Sequence, residues 1–259
     1  MKNGVVMGKL PSLIRATGEK KHFNSAVILA AGNGSRMNDD RAKQFIDICG
    51  LPVVVRSALA FERSPEIHEI VVVTRPADIE GCTTLLRTNG ITKLTRVVAG
   101  GATRQDSARL GFDAISPDCD YVAIHDAARC LVTPENIRAV METAYSVGAA
   151  ACAERVVDTI KKTNAIGRIT ETIDRENTWL VQTPQVFMAD MYRAASYVAL
   201  KENFTASTDD CFLCERLGFD VRLVDAGGFN IKVTYPEDIV MAEMILEMRE
   251  KKKNGAVVR

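Results

Sequence analysis

The chain has 259 residues, 47% hydrophobic and 25% charged, enough to bury one large α/β core or two small ones without metal clips or disulfide staples. Lys plus Arg and Asp plus Glu number 33 each, so no bulk field recruits nucleic acid or an anionic membrane, and anion binding must come from a few placed cations. No run approaches the ~20 apolar residues that span a bilayer. The odd, scattered count of seven cysteines argues against a disulfide framework and for a reducing, cytoplasmic setting.

Residues 1–24 carry five basic residues and one acid but no apolar stretch, and are expected to form a disordered extension. Ordered sequence is expected from near Ala26, where Ala26–Ala30 reads as a buried strand followed by glycines. Similar apolar runs recur at Glu69–Thr74, Leu94–Ala99, Asp120–His125, Ala149–Ala153 and Val221–Val224. Amphipathic helical stretches lie between them, including Pro52–Phe61, Arg104–Ala114 and Pro134–Val147. This alternation predicts an α/β fold, a mainly parallel sheet wrapped on both faces, whose ligands sit beyond the carboxyl ends of the strands. Val156–Thr178 breaks the pattern: two period-2 segments, Asp158–Thr163 and Arg168–Ile173, flank an Asn164–Gly167 turn. A hairpin so poor in apolar residues cannot stand alone in water, so it is expected to project as an arm onto another surface, such as a second subunit. Cys211 and Cys214 fall one turn apart on a helix and read as packing residues, with no second pair to make a zinc site. A closing helix from Pro236 to about Glu250 leaves 251–259 as a frayed tail. The simplest organisation is one domain over 25–250.

Four motifs carry chemistry. After the first strand comes Leu29, Ala30, Ala31, Gly32, Asn33, Gly34, Ser35, Arg36, Met37. Its two glycines let backbone amides approach a polyphosphate, and Arg36 adds a fixed positive fork. Lys43 follows seven residues later, near enough to fold over the same phosphates. The loop is neither GxGxxG nor a P-loop. At the end of the fourth strand, Asp126 in Ile124–Arg129 suits a hard cation such as Mg²⁺, although in isolation an N-cap or an ion pair to Arg129 would be the better explanation. His125 reads as a hydrogen-bonded structural residue. Lys232, flanked by apolar residues on a short strand before Pro236, suits a cation aimed at an anion, or else a snorkelling surface lysine. Gly100–Ser107 opens a helix after a strand, which favours anions, while capping alone would account for Thr103 and Ser107.

Together these motifs resemble the 2-C-methyl-D-erythritol 4-phosphate cytidylyltransferase (IspD) family. The likeness runs from about Ala26 to Met248, with LAAGNGSRM, AKQF, GGATRQDS, HDAAR, VVDTIKKT, TIDRENTW, QTPQVF, STDD and NIKVTYPEDI in order. It implies a Rossmann-like nucleotidyltransferase fold and a homodimer joined through the arm. It implies that Arg36 and Lys43 stabilise charge on the triphosphate, and that Ala30, Ala31, Gly32, Gly34, Gly101, Arg104, Ser107 and Ala127 contact CTP. Asp126 would ligate Mg²⁺ or meet the acceptor, with Arg129 in the acceptor site. Thr159 and Arg175, on the arm, would grip the acceptor phosphate, and Lys232 would position it. The family usually has Pro where Cys130 and Ala42 stand here. Ribitol-5-phosphate cytidylyltransferases share most motifs but tend to open with Leu-Ala-Gly-Gly, and a silent nucleotide-binding regulator need not keep Arg36, Lys43, Asp126 and Lys232 together.

Overall fold

A computed structural model describes residues 22–32, 43–253 and 255. Eleven strands and seven α-helices follow one another within these residues. They are β1 (Asn24–Leu29), β2 (Asp47–Ile48), β3 (Leu51–Pro52), α1 (Val53–Glu62), β4 (Glu69–Thr74), α2 (Ile79–Thr88), β5 (Leu94–Ala99) and α3 (Arg104–Asp113). Then come β6 (Tyr121–Asp126), α4 (Pro134–Val147), β7 (Ala149–Arg155), β8 (Lys161–Thr163), β9 (Ile169–Thr172), β10 (Trp179–Met188), α5 (Ala189–Lys201), α6 (Asp210–Arg216), β11 (Arg222–Asp225) and α7 (Pro236–Lys253).

Seven strands form one sheet in the order β11-β7-β10-β6-β1-β4-β5. β1 pairs parallel with both β4 and β6, setting Leu29 beside Val73 on one side and Asp126 on the other. Strand side chains alternate faces, and both faces are covered. Ala26 and Ile28 pack with α1, α2 and α4 residues such as Phe61, Leu86 and Val140. Val27, between them in sequence, packs instead with Phe112 of α3, Tyr192 of α5 and Cys214 of α6. Burial on both faces is why β1 reads as an unbroken apolar run rather than an alternating one.

Three boundaries move. β1 begins at Asn24, two residues before the expected Ala26, and Phe23 already donates its amide to Asp120 Oδ2 at 2.9 Å, so an extension reaching residue 24 is too long. α7 continues through Lys253, beyond the expected Glu250. The Lys232 segment is not a strand: Val233 donates to Ala128 O at 2.8 Å, while the Asn230 side chain donates to Gln182 Oε1 and Thr183 O. Side-chain anchors hold that backbone where a ladder was expected. Sequence reading also passed over β10, the sheet's antiparallel member. Pro184 interrupts it where its pairing with β7 shifts register between Val181 and Gln185, the kind of irregularity at which a sheet admits proline.

The hairpin forms as expected, with β8 and β9 antiparallel and Ile173 N donating to Ile160 O at 3.0 Å beyond the ladder. It projects from the sheet: every residue from Lys161 to Thr172 is exposed, with Ile166 86% and Ile169 57% accessible. Cys211 and Cys214 are buried in α6, and burial pushes the Cys214 thiol up to about 12, as a packing role requires.

Candidate active site

A cavity of about 470 Å³ opens at the carboxyl ends of β1, β5 and β6. Ala30, Ala31 and Gly32 line it from the end of β1; Gly101, Arg104 and Ser107 from the β5–α3 connection; Asp126 and Ala127 from β6; and Lys232 and Thr234 from the segment before α7. These nine expected residues and Thr234 come from four separate stretches of chain that the parallel register brings side by side. Gly34 and Arg36 lie outside the described residues, as does the Lys43 side chain; the neighbouring Gln44 lines the cavity.

Close approach shapes the β5–α3 wall. A Cβ on Gly100 would stand 2.6 Å from Ala31 Cβ and one on Gly101 2.4 Å from Asp106 Cβ, so only glycine fits the bend here. Thr103 and Asp106 form a capping box, the Thr103 hydroxyl accepting from the Asp106 amide at 3.0 Å. Ser107 does not cap; its Oγ accepts from the Gly101 amide at 3.1 Å and donates to Thr103 O, tying the glycine bend to the first helical turn. The start of α3 therefore faces the cavity with its unpaired amides and dipole, a natural seat for an anion.

Asp126 is the electrostatic centre. Its Oδ1 accepts from Arg104 Nε at 3.0 Å and its Oδ2 from Lys232 Nζ at 2.6 Å. Burial alone would raise its pKa, but the Arg104 and Lys232 charges outweigh that and hold the carboxyl well below the usual carboxylate range. Arg104 is pushed upward: burial opposes its charge, and Asp210 and Asp126 more than compensate. Asp126 does not pair with Arg129, the partner weighed from sequence; Arg129 Nη1 donates to Asn230 O at 2.9 Å and Arg129 is absent from the cavity wall. His125 is fully buried beside Thr183 Oγ1 at 3.1 Å, and burial drives its pKa to about 3, so it is a neutral structural group as read.

Thr159 and Arg175 stand apart. Both are exposed on the arm, with Arg175 Nη1 donating to Val157 O at 3.1 Å, and neither lines this chain's cavity. Sequence reading gave no role to Asp210, whose Oδ2 accepts from Arg104 Nη1 at 2.7 Å. Its STDD run was visible, but a buried acid at a helix start looks like an N-cap until the fold shows that Asp209 does the capping.

Backbone bends, two cations and a carboxylate thus meet at the carboxyl ends of β1, β5 and β6, and comparison with known proteins shows the family that shares this chain's sequence and fold. Residues 25–248 match the family model described as 2-C-methyl-D-erythritol 4-phosphate cytidylyltransferase. The curated enzyme of that name from Caldanaerobacter subterraneus is 44% identical over 223 residues, covering 86% of this chain and 98% of the relative. That of Pelotomaculum thermopropionicum is 40% identical over 227 residues, 87% of this chain and 95% of the relative. A crystal structure of 4-diphosphocytidyl-2C-methyl-D-erythritol synthase from Anaerococcus prevotii superposes with a TM-score of 0.78 at 30% identity, over 88% of this chain and 97% of that one. The chain belongs to the 2-C-methyl-D-erythritol 4-phosphate cytidylyltransferase family.

Proposed function

We propose that this chain transfers a cytidylyl group from CTP to 2-C-methyl-D-erythritol 4-phosphate, giving 4-diphosphocytidyl-2-C-methyl-D-erythritol and pyrophosphate. The carrying observation is the convergence of Arg104, Lys232 and Asp126 in one cavity with the Ala30–Gly32 bend and Gly101. An oxygen of the acceptor phosphate attacks the α-phosphorus of CTP in line; the bond from that phosphorus to the β-phosphate bridging oxygen breaks, and its electron pair leaves with pyrophosphate. Two anions must meet, so the protein's work is to position them and neutralise charge. Ala30, Ala31, Gly32, Gly101, Ser107 and Ala127 seat CTP, and Arg36 and Lys43 take the charge that builds on the departing phosphates.

Lys232 supplies the acceptor side. Its side chain is 40% exposed, so its ammonium can pass from Asp126 to an arriving phosphate while Arg104 keeps the carboxylate company. Mg²⁺ suits this donor set, because that ion is commonly held by one or two carboxylates plus substrate phosphates. Asp126 would be its protein ligand, and the ion would supply charge neutralisation between the phosphates. Thr159 and Arg175 would act on the cavity of a second copy, the site being completed across a homodimer by the partner's arm. Supporting this, the arm leaves Val157 77% and Ile166 86% exposed, apolar surface that a partner would cover. Seven free cysteines suit work in the reducing cytoplasm.

The test is pyrophosphate release from CTP with methylerythritol phosphate beside ribitol 5-phosphate. Release that depends on methylerythritol phosphate is expected. Preference for ribitol phosphate would move the substrate assignment, and no release with either would favour a regulator.

A further inference from the structure

Asp210 is 1% exposed, at the first residue of α6, and both of its carboxylate oxygens are engaged. Oδ1 accepts from the hydroxyl of fully buried Tyr192 at 3.0 Å and Oδ2 from Arg104 Nη1 at 2.7 Å. Its amide donates to Gln185 Oε1 at 2.9 Å, and Gln185 Nε2 donates in turn to Asp209 Oδ2 at 2.8 Å. The carboxylate is thus held from α5 and α3, and its backbone from β10. Arg104 spans two acids on different elements, Asp126 at the end of β6 through Nε and Asp210 through Nη1. A planar guanidinium held at two edges by two rigid carboxylates has one orientation, where a single carboxylate would leave it free to swing.

We propose that Asp210 is a positioning residue for cytidylyl transfer, acting through Arg104 to hold Asp126 in place when Lys232 leaves it for the incoming phosphate. This rests on the reading of the reaction given above. Lys232 and Arg104 share Asp126. Without the Asp210 anchor, the Arg104 fork is free to turn both edges onto Asp126 or toward the triphosphate, and the carboxylate loses its fixed aim. The cost falls on the reacting arrangement more than on CTP affinity, because removing a negative charge near the cavity does nothing to repel CTP.

The experiment is a double-mutant cycle on the full chain, reading kcat and KM for CTP from pyrophosphate release with methylerythritol phosphate. Asp210→Asn, close in shape, is expected to lower kcat by ~10–100-fold, the scale of one charge-assisted hydrogen bond, with KM for CTP within ~3-fold of wild type. On an Arg104→Ala background the same substitution should cost less than ~3-fold. An undiminished loss there, a loss carried by KM for CTP, or no loss in the single variant overturns the role. Should Asp210→Asn fold poorly, Tyr192→Phe removes only the Oδ1 anchor and is expected to lose ~3–10-fold in kcat, again only while Arg104 is present. Wild-type turnover is measured first. Its absence refutes the reaction reading, whereas its presence with additive losses refutes the positioning role alone.

Discussion

The cavity and the arm carry the same kind of side chain in opposite states. In and behind the cavity wall, Arg104, Asp126 and Asp210 are largely enclosed, Lys232 is half-buried, and each charge answers another. On the arm, Arg175 is exposed and its side chain donates to the backbone at Val157 O, beside a valine that is itself exposed. Charges that are buried and paired have had their desolvation cost met within the chain. An exposed arginine beside an exposed valine has not been given its final surroundings. The contrast supports the proposal that the cavity is complete within one chain while the arm offers its residues outward, to a second copy.

The sharpest way to break that contrast is to remove the charges proposed to act in the cavity. Arg36→Ala, Lys43→Ala and Lys232→Ala are each expected to fold normally yet lose ~10²–10³ in kcat, the scale of a lost electrostatic stabiliser. Near-wild-type pyrophosphate release by any of them would remove that residue from the mechanism. On the arm, Arg175→Lys replaces a planar fork by a point charge and is expected to raise KM for the acceptor ~10-fold while leaving KM for CTP unchanged. Equal increases for both substrates would contradict a role confined to the acceptor.

Stability should separate the two regions as well. Gly101→Ala pushes a methyl to 2.4 Å from Asp106 Cβ and is expected to cost about 1–3 kcal/mol in urea unfolding, the range for overpacking. Gly167→Ala, at φ +78 in the arm turn with nothing near its Cβ, is expected to cost only about 1 kcal/mol, through backbone strain alone. The reverse order would mean that the cavity wall is the softer of the two. The last test concerns pH. His125 titrates near 3 in the folded chain, burial outweighing the pull of Asp126, against an ordinary value of 6.5. Between those values the unfolded chain binds a proton that the folded chain refuses, so stability falls as pH falls, by up to about 1.4 kcal/mol per pH unit. Denaturant midpoints at pH 7 and pH 5 should show this slope, and His125→Gln should flatten it; an unchanged slope would place the titration elsewhere.

The central strands, both layers of helices and the arm were legible because each has a period or a turn that local sequence encodes. Glu69–Thr74 is a buried run and Asn164–Gly167 a turn whatever surrounds them. The cavity wall was legible mainly through the family resemblance, which named Ala30, Ala127 and Lys232 together; taken singly, its glycine bends and its lysine admitted ordinary structural explanations. β10 was not, since Pro184 argues against a central strand and only the neighbouring β6 and β7 show that an irregularity absorbs it. The Lys232 segment looked like a strand because Ile231 and Val233 alternate with polar residues, yet its anchors, Gln182 and Thr183, lie some fifty positions away. Asp210 escaped for the same reason. Its partners Arg104 and Tyr192 lie on other helices, and nothing local distinguishes a buried anchor from a cap.

Mixing two inactive variants tests most directly whether the site is split between chains. Arg175→Ala spoils the arm and Lys232→Ala the cavity, so a heterodimer contains one cavity with Lys232 intact facing an arm with Arg175 intact. After unfolding and refolding together in equal amounts, half the dimers are mixed and each has one restored site. Recovery of about a quarter of wild-type turnover is therefore predicted, on the statistics of a C₂ pair. Turnover no higher than that of either variant alone would contradict a shared site and return Arg175 to the surface of its own chain.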